Sequence, residues 1–198
     1  KVLRIINRFN LGGPTFNAAL LTRYLDDDFE TLLIGGVPDE GETDSLHILE
    51  KCDVKPIIIP ELIRNPNPVS DRKAYRKIKA IIEEFKPDIV HTHASKAGVL
   101  GRKAAISCGV KTIVHTYHGH VFHSYFGKFK THLIKSLERN LAKKSSGIVA
   151  ISNLQKEELV KKHRICAADK VKVVPLGFDL SSFLQDNPAK RDQVRNDY

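Results

Sequence analysis

The sequence predicts an α/β protein with a doubly wound parallel sheet. Short β-branched apolar runs alternate with longer amphipathic stretches along the whole chain. The succession strand, helix, strand repeats six times, which calls for parallel strands with helices on both faces. No internal repeat and no low-complexity tract interrupts the alternation, and 198 residues suffice for one well-buried domain.

Taken in order, the predicted strands are VLRIINRF (2–9), ETLLIGG (30–36), VKPIIIP (54–60), DIVHTH (88–93), TIVHTY (112–117), GIVAIS (147–152) and VKVVP (171–175). Between them, helical periodicity spans 15–25, 44–51, 71–86, 96–108, 128–144 and 153–163. Lys86-Pro87 ends the third helix, because proline disfavours α geometry in the residue before it. Gly109 follows the fourth helix as a C-cap. The stretch 60–70, PELIRNPNPVS, holds three prolines and two asparagines and reads as an irregular loop. After Asp179 the pattern stops, and 180–198 reads as a polar stretch that begins something further.

Composition narrows the function. The longest apolar runs, such as PIIIP at 56–60, fall far short of the ~18 residues a membrane span requires. Residues 1–20 place the polar stretch NLGGPTFN where a signal peptide would be apolar, so a cytoplasmic location is expected. Cys52, Cys108 and Cys166 are odd in number and widely spaced, and they read as buried thiols rather than disulfides or zinc ligands. With no methionine and Lys1 first, the natural chain is expected to extend beyond these ends. The net charge of +9 is uneven: residues 1–90 carry 13 Lys/Arg against 15 Asp/Glu, and 91–198 carry 19 against 8. The basic second half favours an anionic partner.

In a doubly wound sheet, ligands bind at the carboxyl ends of the strands beside the topological switch point. Three loops therefore matter. The first, after strand one, holds Gly12 and Gly13, with Pro14 suited to a first helical turn. It matches neither G-x-G-x-x-G nor a Walker pattern. Paired glycines let backbone N–H groups approach a phosphate at a helix N-terminus, although a tight turn alone is an equally plain account. The second loop follows strand four in HTHASKAGVLGR. His91 and His93 share one strand face, with His91 packed in the sheet end, His93 facing the crevice, and Ser95 where the next helix begins.

The third loop is VHTYHGHVFH, with four of the nine histidines in residues 114–123. His115 lies inside the strand as a hydrogen-bonded core residue, and His118 is the first group past it, placed to point into the crevice. Gly119 permits close backbone approach, and His123 anchors the loop. No acidic or thiolate ligand lies nearby in sequence, so no metal is expected. The following helix, KFKTHLIKSLERNLAKK, spaces Phe129, Leu133, Leu137 and Leu141 four apart among Lys128, Lys130, Lys135, Arg139, Lys143 and Lys144. This suits an ordinary amphipathic surface helix or attachment to an anionic membrane, aided by Tyr125 and Phe126. No helix-turn-helix, RNP or zinc-finger pattern accompanies the charge, so nucleic acid is not expected.

In their order, the stretches NLGGPTFNAALLTRYL, KPDIVHTHASKAGVLGRKAA, VHTYHGHVFHSYF, IVAISNLQKEEL and VVPLGFD resemble the N-terminal domain of retaining, nucleotide-sugar-dependent glycosyltransferases of the GT-B fold, family 4 type. The resemblance implies one Rossmann-like half of a GT-B enzyme, with an acceptor domain at 1–180 and the start of the interdomain linker at 181–198. It implies transfer of a sugar from a nucleotide-sugar donor to an acceptor hydroxyl with retention, in cell-envelope polysaccharide or lipid-linked glycan synthesis. Gly12 and Gly13 would lie against the donor diphosphate, and His118 would stand beside the transferred sugar as the catalytic histidine. His93, Ser95, Lys96, Gly119 and His120 would line the acceptor side of the cleft. Lys128, Lys135, Arg139 and Lys143 would form an anionic-surface contact, peripheral at the inner membrane face. No cofactor is implied beyond the nucleotide sugar.

In PLGFD, Leu176 stands where the family carries asparagine. The family's C-terminal donor-binding domain, with its paired glutamates, lies outside these 198 residues, which implies a chain that folds alone and transfers no sugar. A stand-alone domain that binds a glycan or anionic ligand without catalysis is the alternative, and a metal hydrolase built on the histidines is a third.

Overall fold

The structure, a computed structural model, describes residues 1–119, 127–181 and 187–197. Seven parallel strands form one sheet in the order β3-β2-β1-β4-β5-β6-β7. They are β1 (Val2–Arg8), β2 (Thr31–Gly36), β3 (Ile57–Ile58), β4 (Ile89–His93), β5 (Thr112–Tyr117), β6 (Gly147–Ala150) and β7 (Val171–Val173). The helices α1 (Gly13–Arg23), α2 (Leu46–Lys51), α3 (Pro68–Phe85), α4 (Ser95–Ser107), α5 (Lys128–Lys144) and α6 (Asn153–Glu157) connect them. The doubly wound sheet that the alternation predicts is the sheet observed, with the seven strands and six helices in the predicted order.

Alternation along β1 divides the core between the two faces. Leu3 and Ile5 pack under α3 and α4 with Ile78, Ile82, Ala104 and Ala105. Ile6 turns the other way, onto α1 and α2 with Ala18, Ala19, Ile48 and Leu49. A third cluster joins Tyr117, Ala142, Ile148 and Val171 beneath α5, closing the β6–β7 edge. Full burial of such side chains contributes roughly 1.5–3 kcal/mol each.

The differences from the predicted elements have local causes. Strand 54–60 contracts to Ile57–Ile58, because Pro56 and Pro60 bracket it and proline cannot extend a ladder. Helix α3 starts at Pro68, inside the expected loop, where the Asn67 side chain accepts hydrogen bonds from the N–H groups of Val69 and Ser70. Its end is as expected: Lys86 takes a left-handed conformation ahead of Pro87. The sixth helix is shorter than 153–163 and gives way to a π turn over Glu158–Lys162. Beyond Asp179 the polar stretch contains a helix, Asn187–Asp197, whose Pro188 suits a first turn. The three cysteines are free but half-buried rather than buried.

Candidate active site

The chain places β2 and β3 on one side of β1 and β4 to β7 on the other, so the switch point lies between β1 and β4. The loop after β1 is fixed before the helix begins. Arg8 grips Glu42 through two hydrogen bonds, from Nε at 2.8 Å and Nη2 at 2.7 Å. Leu11 N–H donates to the Thr43 carbonyl, and Thr15 Oγ1 donates to the Asn10 carbonyl at 2.8 Å. Gly12 then caps α1 in extended geometry without a side-chain hydrogen bond, and the first turn holds no acid. A Cβ added at Gly13 would meet nothing within 4 Å, and one at Gly12 only Pro14. Neither glycine is demanded by the chain's own packing.

The loop after β4 is tighter. Ala94 has φ 62° and ψ 171°, a region that only glycine adopts without strain, and it turns the chain directly from His93 into α4 at Ser95. Helix α4 also begins without a side-chain cap or an acid in its first turn. Two helices that follow adjacent strands therefore start without a side-chain cap, with the Thr15 N–H of α1 donating to the Gly12 carbonyl; a helix start of this kind favours an anion.

Histidines form the wall beyond. His91 and His93 lie on the same face of β4, with ring centroids 4.2 Å apart. His91 Nε2 is 2.8 Å from Thr116 Oγ1 on β5. His93 Nδ1 is 2.9 Å from Nε2 of His118, the first residue past β5, and the two rings stack 5.2 Å apart. His115 faces the opposite side of the sheet, its Nδ1 2.8 Å from Thr92 Oγ1. Burial holds all four in the neutral form: His91 is pushed down to about 3, His118 to about 4, and His93 and His115 well below the ordinary value. His118 is only partly exposed. A neutral imidazole there can donate or accept one hydrogen bond and carries no charge to a ligand.

Several expected positions differ. His93 has no exposed surface and stands behind His118, not on an open wall, because its strand ends beneath the turn at Ala94. Lys96 is tied to the carboxylate of Asp71 and donates to the Asn65 carbonyl at 2.7 Å, so it clamps the 60–70 segment to α4. Ser95 is the first residue of α4 and Gly119 is exposed. His120, His123, Tyr125 and Phe126 lie outside the described residues, as does the side chain of Lys128. Arg139 spends its guanidinium on the carbonyls of Arg164 and His163, at 2.8 and 2.9 Å. Phe129 and Leu133, at 76% and 52% exposure, form the accessible face of α5 together with exposed Lys130 and, at the helix's far end, Lys143; Lys135 is half-buried.

Sequence reasoning missed the support under this wall. Arg102 of α4 donates to Glu138 of α5 at 2.7 Å, and the hydroxyl of Tyr117, the neighbour of His118, donates to the same carboxylate oxygen at 2.6 Å. Buried Arg4 on β1 was missed as well. An arginine in an apolar run is the available signal for each. Past β7, Asp179 accepts from the Tyr24 hydroxyl at 2.9 Å and joins the exit segment to α1. Among the described residues, no group of three His, Cys, Asp or Glu side chains could hold a metal ion, and no helix is long and apolar enough to cross a membrane.

Residues 12–182 match the model of Glycosyltransferase Family 4. The chain is 37% identical over 130 residues to the UDP-Gal:alpha-D-GlcNAc-diphosphoundecaprenol alpha-1,3-galactosyltransferase of Escherichia coli, a match covering 66% of this chain and 33% of the relative. Its fold is similar to that of a glycosyltransferase from Rickettsia africae ESF-5, with a TM-score of 0.69 and 20% identity over 100% of this chain and 49% of the other. It is also similar to Anabaena HepE in complex with UDP and glucose, with a TM-score of 0.65 and 15% identity over 98% and 50%. The chain thus spans about a third of the curated relative and about half of each solved neighbour.

Proposed function

Since the chain belongs to Glycosyltransferase Family 4 and is an N-terminal, Rossmann-like half of the GT-B type, we propose that the whole protein transfers a hexose from a nucleotide sugar to the hydroxyl of a lipid-linked glycan, with retention. The observation that carries this reading is the placement of two helix starts without side-chain caps, at Gly12 and Ala94, and a neutral histidine, His118, after the carboxyl ends of the neighbouring strands β1, β4 and β5. A leaving diphosphate gathers negative charge, and N–H groups fixed in advance stabilise it without reorganising. Gly12 and Gly13 let the diphosphate close on the backbone. His118 offers one hydrogen bond to the transferred sugar. Ser95 and Gly119, with His120 where the chain continues, serve the acceptor side, and Lys96 and His93 shape it from behind.

The acceptor class follows the name of the Escherichia coli relative, whose acceptor is a GlcNAc-diphosphoundecaprenol. A lipid carrier of that kind suits a protein peripheral to the cytoplasmic face of the membrane, resting on the exposed Phe129–Leu133 face of α5 with its lysines. In this reading residues 1–180 are the acceptor domain and 181–198 begin the link to a donor domain. The nucleotide sugar is a substrate, and no cofactor is needed.

The test is an assay of the full-length protein and of residues 1–198, each with UDP-galactose and a GlcNAc-diphospholipid. Transfer by the full-length protein with the anomeric configuration kept, loss of kcat in His118→Ala, and no turnover by residues 1–198 are expected. Tight binding of the glycan by residues 1–198, with no transfer from any nucleotide sugar by the full-length protein, would instead make this a binding domain.

A further inference from the structure

Between β3 and α3 the chain runs along the carboxyl ends of the strands instead of looping out into solvent. Leu62 is wholly buried, and its carbonyl lies so close to the last residue of β2 that a Cβ on Gly36 would overlap it. Three residues on, the Asn65 carbonyl accepts from Lys96 Nζ, in the first turn of α4, at 2.7 Å. Both ends of the segment are tied as well. Lys77 of α3 holds Glu61 at 2.8 Å, and Asp71, the ion-pair partner of Lys96, accepts from the Asn67 N–H at 3.2 Å.

In the middle of this fastened stretch stands Arg64, exposed and, among the described residues, without an ion pair or a side-chain hydrogen bond. The nearby cations are engaged: Arg8 with Glu42 at 2.7 Å and Asp39 at 3.9 Å, and Lys96 with Asp71. Arg64 lies beside the same loop, since Glu42 is held below the ordinary carboxylate range first by its hydrogen bond from Arg8 and, in smaller part, by the charge of Arg64. The guanidinium of Arg64 thus keeps its fork of N–H donors open at the rim of the crevice, a geometry that matches phosphate oxygens. Carried on a backbone fixed in advance, it gives up less freedom on binding than the same group on a loose loop.

Placement decides which phosphate. Helix α4 packs against both α3 and α5, and each of the three begins after the carboxyl end of its strand. Arg64, just ahead of α3, therefore shares one face and one edge of the sheet with Phe129 and Leu133, exposed on the first two turns of α5. Gly12 and Gly13 precede α1, which packs on the opposite face. A phosphate beside Arg64 belongs to a molecule whose apolar part lies toward α5, not to one seated at the start of α1.

We propose that Arg64 binds the diphosphate of the lipid-linked acceptor, from a segment that Lys96 fastens at the acceptor side. The proposal rests on the reading of the whole protein as a transferase to a lipid-linked glycan. The ligand class is a diphosphate ester that joins a sugar to an apolar chain.

The experiment is isothermal titration of the full-length protein, wild type and Arg64→Gln, with two soluble compounds that share GlcNAc and a decyl chain. One joins them through a diphosphate and the other through a plain glycosidic oxygen. Because Arg64 is exposed, the variant keeps its fold. The Kd of the diphosphate compound is expected to rise about tenfold in Arg64→Gln and to recover in part in Arg64→Lys, with the Kd of the phosphate-free compound unmoved. Equal Kd values for the two compounds in the wild type, or an unchanged Kd in Arg64→Gln, overturn the proposal. A rise in the Kd of UDP in place of that of the diphosphate compound assigns Arg64 to the donor, and loss of vesicle sedimentation alone assigns it to phospholipid headgroups; either result overturns the acceptor assignment. Binding is read without turnover, so a failed transfer assay alongside the expected Kd values discards the transferase reading and leaves the diphosphate site standing.

Discussion

Arg102 and Glu138, from consecutive helices and 36 residues apart, form a 2.7 Å ion pair in which the arginine side chain is wholly buried and the glutamate is 5% exposed. The pair binds α4 to α5, and through Tyr117 it binds both to the strand that delivers His118. Burial, and then the nearby Glu138 carboxylate, push the Tyr117 hydroxyl well above its ordinary value, so it remains a donor.

Removing one charge should cost more than removing both. Glu138→Leu leaves Arg102 buried against apolar surface, a loss of ~3–5 kcal/mol, whereas Arg102→Met with Glu138→Leu should recover part of it. Urea unfolding of the two singles and the double checks this. A double variant whose loss equals the sum of the singles would show that the pair does not act as a unit.

Stability should fall in mild acid. His93 and His115 are completely buried and held neutral, and His91 and His118 are pushed down to about 3 and about 4. Below the ordinary histidine value of ~6.5 the unfolded chain takes up protons that the folded chain refuses, so the unfolded state binds more protons and the folded state loses ground as pH drops. Each fully buried histidine contributes a slope of up to ~1.4 kcal/mol per pH unit. The urea midpoint is therefore expected to fall between pH 7 and pH 5, before most carboxylates titrate. A flat midpoint across that range contradicts neutral burial.

The sheet was legible because β-branched runs and helical stretches keep separate periods, and the sites' loops followed from the position of strand ends. What could not be read is which side chains meet across the sheet. His93 and His118 are 25 residues apart, and nothing in HTHASK or TYHGH shows that one imidazole covers the other. Arg4 sits in VLRIINRF between apolar Leu3 and Ile5, and strand alternation gives its face but not its neighbours. Asn67-Pro68 carried a helix start whose signal was masked by the surrounding prolines, and the two prolines around Ile57–Ile59 were outweighed by the apolar run between them.

Two glycines give opposite expectations. A Cβ at Gly98 would come within 2.4 Å of His115 Cε1, and that ring is fully buried. Gly98→Ala should therefore destabilise by ~1–3 kcal/mol, despite alanine's better helix propensity. Gly13 has open space around it, so Gly13→Ala should leave the melting temperature unchanged or raise it slightly. In the full-length protein the same change should weaken nucleotide-sugar binding if backbone approach matters there. Equal affinity would reduce the glycine to a turn.

Strain at Ala94 has its own test. A non-glycine residue at φ 62° and ψ 171° costs ~1–3 kcal/mol, so Ala94→Gly is expected to stabilise the fold, net of the entropy glycine adds to the unfolded chain. A rise in the urea midpoint together with a fall in kcat of the full-length protein would mean that the rigid turn matters to the start of α4. No change in stability would mean that the turn is unstrained.

The face of α5 separates its cations by role. Arg139 caps the carbonyls of Arg164 and His163, so Arg139→Ala should lower stability and leave vesicle association in place. Phe129 and Leu133 are exposed on the first two turns, where apolar side chains beside lysines can enter a headgroup layer. Phe129→Asp with Leu133→Asp is thus expected to abolish sedimentation with anionic vesicles while preserving the fold, and added salt should weaken the wild type through its lysines. Binding unaffected by the double change, or no wild-type binding to start with, would make α5 an ordinary surface helix whose apolar residues have another use.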